Sequence, residues 1–196
     1  MRTQRLALGL AAALLVAGGC TNQAGDNRTN AQTPEAQKAA GNKTIASGLA
    51  ADSRFMAAAK AAGLDQTLAG AGPYTVLVPD DAAFDKAPAG TFDTKPENRA
   101  QLIGVITNLV LPGTMLAADI DKAIERGKGK ALLPTYGGST LTATKEGGRI
   151  VLADAKGARA TITKADEQFS NGVVHRVDTV LLPAKPAAEP PAKAGQ

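Results

Sequence analysis

Cysteine is almost missing from this chain of 196 residues, where Cys20 stands alone. No internal disulfide can form, so a folded body has to be held by its core. Histidine is as scarce, and one cysteine with one histidine, His175, cannot make a zinc ligand set. Tryptophan is absent and aromatic residues amount to 3% of the chain. Stacking platforms for bases are therefore nearly excluded, and Ala, Leu and Val must fill the core. The apolar run from Leu6 to Ala17 is twelve residues long, short of the roughly 20 that a membrane-spanning helix needs. Asp119 and Asp121 lack the Asp-x-Asp-x-Asp-Gly spacing of a calcium loop, and no glycine-rich phosphate loop follows a strand. A strong charge is missing too. The net +4 includes Arg2 and Arg5, and without them it falls to +2, too little to read as a nucleic-acid signature.

What is present begins at the N-terminus. Arg2 and Arg5 precede the apolar run, and Ala17-Gly18-Gly19 places small residues directly before Cys20. This segment resembles a bacterial lipoprotein signal. The resemblance implies that the thiol of Cys20 is lipidated, that residues 1–19 are removed, and that the acylated terminus anchors the chain in a membrane. Several acyl chains anchor far better than one, since each buried methylene contributes about 0.8 kcal/mol. Ala17 stands where such signals more often carry Leu.

Beyond the cysteine, Thr21 to Gly41 is rich in Asn, Gln, Thr, Ala and Gly with almost no large apolar side chain, a composition that cannot offset the entropy of ordering. Residues 20–42 thus read as a lipidated cysteine and flexible tether, with a root-mean-square reach of roughly 25 Å. At the other end, residues 184–196 read as a disordered Pro/Ala-rich tail. Residues 43–183 are left as one domain, long enough to bury about two-thirds of its unfolded surface.

Within that domain the first half is helical. Asp52 or Ser53 can cap a helix whose apolar face is Phe55, Ala58, Ala59 and Ala62, with Gly63 as its left-handed stop. Tyr74 to Val78 alternates as a strand ended by Pro79, and Asp80 or Asp81 can cap a helix through Phe84. Ala100 to Leu111 has the spacing of an amphipathic helix bearing Leu102, Ile103, Ile106 and Val110, closed by Pro112-Gly113. A short helix follows at Ala118 to Ile124. Strands are predicted at 140–144, 149–152, 158–163 and 173–182, with Gly147-Gly148 as a hairpin turn. Helices first and strands after argue an α+β fold.

Two segments carry a family resemblance: Gly72-Pro-Tyr-Thr-Val-Leu-Val-Pro-Asp-Asp-Ala-Ala-Phe84 and Asn171-Gly-Val-Val-His-Arg-Val-Asp-Thr-Val-Leu-Leu-Pro183. They are similar to the two motifs of the fasciclin domain family, and the likeness covers nearly all of the folded region. It implies helices packed against a twisted, mainly antiparallel sheet or β-wedge, and structural motif positions at Thr75, Pro79, Asp80, Asp81, Phe84, Asn171, Gly172 and His175. Asn108-Leu109 stands where family members commonly have Tyr-His, so the integrin contact tied to that pair in animal members is not implied here. Asp80 replaces a common Thr or Ser and keeps the capacity to cap.

Candidate chemistry is sparse. On a strand His175 shares a face with Val173 and Val177, while Arg176 and Asp178 point away. That puts the imidazole in the core, bonded to backbone, rather than in a site as a general base. Asn171-Gly172 reads as a turn with the Asn amide bonding nearby backbone. Arg126-Gly-Lys-Gly-Lys130 is the densest basic stretch, a solvated loop or a contact for acidic lipid or polysaccharide. No cofactor and no nucleic-acid partner is expected. The resemblance implies a membrane-tethered, non-catalytic binding module for adhesion or matrix contact with a protein or glycan partner. Thr21 after the cysteine favours the outer membrane of a Gram-negative cell, facing the periplasm or the cell surface. The alternative is a carrier or sensor of a lipophilic small molecule, carotenoid-like or lipid.

Overall fold

The computed structural model describes residues 42–49 and 53–183. Cys20, the tether before residue 42, the alternative cap Asp52 and the tail 184–196 lie outside the described residues. Six α-helices, α1 (Ile45–Gly48), α2 (Arg54–Ala62), α3 (Asp65–Ala69), α4 (Asp81–Lys86), α5 (Arg99–Asn108) and α6 (Ala117–Arg126), and a 3-10 turn at Pro96–Asn98 accompany seven strands among these residues. The strands are β1 (Tyr74–Pro79), β2 (Val110–Pro112), β3 (Ala131–Pro134), β4 (Thr140–Glu146), β5 (Arg149–Ala153), β6 (Arg159–Phe169) and β7 (Gly172–Val177). They form one sheet in the order β2-β1-β7-β6-β5-β4-β3. Only the β1–β7 pairing is parallel, so the sheet is mainly antiparallel and the fold is α+β.

Local chemistry accounts for most boundaries. The Ser53 hydroxyl accepts from the Met56 amide at 3.3 Å to start α2, and Gly63 at φ 78° ends it. Phe55, Ala58, Ala59 and Ala62 are all buried, and α2 packs on α5 through this small-residue face. At the β4–β5 hairpin, Gly147 and Gly148 take φ 54° and 79°, the positive values that a tight two-residue turn demands. The core is aliphatic, as a chain without tryptophan requires, with Leu77, Leu102, Ile106, Leu109, Leu141 and Leu152 among its fully buried side chains.

Several sequence expectations are corrected. The helix expected to run from Ala100 to Leu111 stops at Asn108, and Val110 to Pro112 forms β2, antiparallel to β1 with Val76 opposite Val110. Val110 lies four residues after Ile106, in phase with the helix, so periodicity alone extends the helix over it. Strand β3 was not expected. It is short and ends in proline, and its two inward residues, Ala131 and Leu133, make too brief an alternation to signal a strand. The strand expected to reach Leu182 ends at Val177, because the Asp178 carboxylate turns to accept from the Thr161 amide at 2.7 Å. Strand β6 runs on to Phe169, beyond the expected 163, through two register shifts. The sheet's two ends approach each other: the Tyr136 amide, just past β3, donates to the Val110 carbonyl of β2 at 2.8 Å.

Candidate functional site

The motif around β1 and α4 is occupied by structural bonds. Thr75 is buried, and its hydroxyl donates to the Gly113 carbonyl at 2.8 Å while accepting from the Met115 amide at 2.8 Å. One side chain thereby fixes both ends of the 113–115 loop. Pro79 closes β1 opposite Val177, and the Asp80 amide donates to the Val177 carbonyl at 2.9 Å. Phe84 is buried, with its ring 4.5 Å from that of Phe92 and the Arg54 guanidinium 5.0 Å from its centroid. Asp80 does hold the N-cap position of α4, but its carboxylate makes no bond to the helix amides. The expected capping bond is replaced by one to Thr163, whose hydroxyl donates to Asp80 Oδ2 at 2.8 Å. Asp81 is already inside the first turn, where its charge complements the helix dipole. Asp80→Asn is therefore expected to change stability by less than about 0.5 kcal/mol, since an acceptor for Thr163 remains, and Asp80→Ala by about 1 kcal/mol or less. Urea unfolding of both variants checks this.

The second motif is a hub of buried polar contacts. Asn171 Oδ1 accepts from the Ile45 amide at 2.8 Å, and Nδ2 donates to the Leu68 and Gly70 carbonyls, each at 2.8 Å. These partners are distant in sequence, in α1 and around the end of α3, not the neighbouring backbone that the turn reading expected. Gly172 lies opposite Tyr74, and a Cβ there would run into the Tyr74 carbonyl oxygen. Only glycine permits this approach of two backbones.

His175 is fully buried between Val173 and Val177. Its Nε2 lies 2.8 Å from the Met115 carbonyl, and its Nδ1 accepts from the Asp166 amide at 3.2 Å. An amide can only donate, so Nδ1 carries no proton and Nε2–H donates to Met115. Burial pushes the imidazole pKa below its usual value, against the opposing pull of the Met115 carbonyl and the Asp166 carboxylate. Both nitrogens are consumed by backbone, which leaves neither to act as a general base. Asp166 sits at φ 62° in the irregular part of β6, and its Oδ1 also accepts from the Ala117 amide at 2.8 Å, capping α6. One expectation about β7 needs revising: Val174, on the face of Arg176, is as buried as Val173, so both faces of the strand are covered. Arg176 reaches past that cover to Glu167 Oε2 at 3.2 Å.

The feature that these motifs surround was not anticipated from the sequence. Tyr74 and Tyr136, the two tyrosines of the chain, meet edge to face with centroids 5.9 Å apart. On one side of the pair is a cleft of about 470 Å³ walled by Gly72, Pro73, Pro112, Thr114 and Met115. On the other is an apolar recess of about 200 Å³ lined by Leu64, Leu68, Ile106, Thr107 and Val110. Thr114 Oγ1, in the wall of the larger lobe, is buried without a hydrogen-bond partner among the described residues. Tyr136 is 55% exposed. Thr75 and His175 hold the 113–115 wall at Gly113 and Met115, so the buried motifs act on the cleft through its backbone. The available signal was compositional: in a chain so poor in aromatics, Tyr74 follows Gly72-Pro73 and Tyr136 precedes Gly137-Gly138.

The Fasciclin domain family model matches residues 51–183. Protein sll1483 of Synechocystis is 36% identical over 147 residues, 74% of this chain and 71% of that protein. The cell surface glycolipoprotein MPB83 of Mycobacterium bovis is 30% identical over 179 residues, 88% of this chain and 74% of its own length. Among solved structures, a FAS1 domain pair from the insect cell adhesion molecule fasciclin I superposes with a TM-score of 0.55 at 18% identity over 71% of this chain. This chain spans about half of that domain pair, 51% of its length.

Proposed function

This chain belongs to the fasciclin domain family, and we propose that it is a lipid-anchored, non-catalytic binding module of the bacterial envelope, acting in adhesion through the Tyr74–Tyr136 cleft. The observation that carries the reading is the cleft itself: paired tyrosines, one of them more than half exposed, at the junction of two recesses. Tyrosine offers a large, stiff, amphipathic contact at small entropic cost. The single histidine is locked between two backbone groups, so the chain's most versatile acid–base group is committed to architecture. The Cys20 signal supports the anchor, and the relative described as a cell surface glycolipoprotein supports an envelope setting.

The anchor is tested by fractionation. Cys20→Ser is expected to leave an uncleaved or released chain, because no thiol remains to accept lipid; mature-sized protein still in the membrane pellet would contradict it. A second reading, a carrier of a lipophilic small molecule, is favoured by the apolar recess beside Val110 and Leu68. Organic extraction of the purified chain separates the two readings, since a carrier yields a stoichiometric lipid or pigment and an adhesion module does not.

A further inference from the structure

Leu132 is 71% exposed, and with Tyr136 it makes up the exposed large apolar side chains among the described residues. Leu132 lies on the edge of the sheet where β3 pairs only with β4, and Tyr136 follows four residues on, where its amide bonds to β2. Leu132 and Pro134 face outward along β3, in phase with Lys130 just before it, while Ala131 and Leu133 point into the core. Just before the strand, Arg126 at the end of α6 and Lys128 and Lys130 in the glycine-rich connector are all exposed, with Lys128 at φ 55°. On β4 the residues beside Leu132 and Pro134 are Thr142 and Thr140, which bring no negative charge. Glu146, at the end of β4 toward the basic connector, is paired with Arg159.

We propose that this edge, with Leu132 as its apolar contact and Arg126, Lys128 and Lys130 as cations, docks on an anionic phospholipid surface. The membrane-tethered reading supplies the setting on which this rests. A protein strand adding to the edge is disfavoured by the same residues, because Pro134 has no amide to donate and edge lysines oppose strand pairing. The exposed leucine beside three cations is an amphipathic combination that suits an interface between charge and hydrocarbon. A lipid interface receives it without strand pairing, and basic side chains meet the phosphates. Each contact is weak, so the edge orients a domain that is already tethered and does not anchor it alone.

The test uses the chain from Thr21 to Gln196, which contains every described residue and lacks the thiol, so its outcome is independent of lipidation. It should sediment with vesicles of phosphatidylcholine containing phosphatidylglycerol and stay in solution with phosphatidylcholine alone, and added salt should release it. Removing one lysine should weaken partition about fivefold, and Lys128→Ala with Lys130→Ala about twenty-five-fold. Leu132→Ser should weaken it on the order of tenfold. Because Tyr74 and Tyr136 are the only intrinsic fluorophores of their kind and tryptophan is absent, brominated lipid should quench the tyrosine emission of the parent and spare that of the variants. All replaced side chains are exposed, so the variants should melt with the parent. Equal binding to both vesicle types, or unchanged binding by Leu132→Ser and the double lysine variant, would overturn the proposal. So would a protein captured through Leu132 by a chain that binds no vesicle. Mature-sized protein still in the membrane pellet of Cys20→Ser cells, with vesicle binding intact here, would count against lipidation alone.

Discussion

Asn171→Ala is expected to destabilise the domain by about 3–5 kcal/mol, the larger end of what one side chain can do. The amide joins three backbone groups from two separate segments, the Ile45 amide and the Leu68 and Gly70 carbonyls, at a residue that is 7% exposed. Truncation leaves all three without their partner, and each buried unsatisfied group costs about 1–3 kcal/mol, partly relieved by water. Against a total stability on the order of 5–15 kcal/mol, that approaches unfolding. Asn171→Asp separates hydrogen bonding from packing. It keeps the size and the acceptor for Ile45, but it turns a carboxylate oxygen toward two carbonyls, so it should be no more stable than Asn171→Ala. Urea unfolding of the three chains measures this, and an Asp variant as stable as the parent would show that the distances do not describe real bonds.

The second large effect is at His175. His175→Ala removes a ring from the core and leaves the Met115 carbonyl and the Asp166 amide without it, for a combined loss of about 2–4 kcal/mol. Its pH dependence carries a definite sign. The folded-state pKa lies below the unfolded value of about 6.5, so the unfolded chain binds the proton more readily. Stability from this group is complete above about pH 6.5 and falls as the pH drops from there through the folded-state pKa. Protonation would place Nδ1–H against the Asp166 N–H, so the two donors would face each other. The Nε2–H bond to the Met115 carbonyl survives protonation, so the loosening is at Asp166 and its contact with the start of α6. Arg176→Ala, on a half-exposed side chain paired with Glu167, should cost less than about 1 kcal/mol. Denaturant unfolding at pH 7 and 5.5 tests both statements, with His175→Gln expected to lose the histidine part of the pH slope.

How much of this was legible depended on whether the determining contact was local. Ser53 and Gly63 mark α2 because a cap and a left-handed stop act within a turn of the helix. Gly147-Gly148 marks its hairpin for the same reason. The burial of His175 followed from alternation along β7. Its partners did not, because Met115 and Asp166 reach it from other elements, and the register shifts in β6 that place Asp166 contain no glycine to announce them. The end of α5 was hidden because Val110 satisfies both a helical phase and a strand edge, and only pairing with Val76 decides between them. Asn108, a departure from the family pattern, is fully buried: its Nδ2 donates to the Leu181 carbonyl at 3.1 Å, a bond across 73 positions that no local pattern encodes. The cleft was invisible in the same way, since Tyr74 and Tyr136 meet only when the ends of the sheet come together.

The central claim is that partner contact lies at the paired tyrosines while His175 and Asn171 act through the fold. It is tested most directly by crosslinking on intact cells that carry the full chain with Tyr136→Ala beside the parent, matched for melting temperature. Tyr136 is 55% exposed, so the variant should keep its stability to within about 1 kcal/mol. The account predicts that it loses the crosslinked partner that the parent captures. Capture undiminished in Tyr136→Ala at an unchanged melting temperature would contradict it and move the contact to another face of the domain.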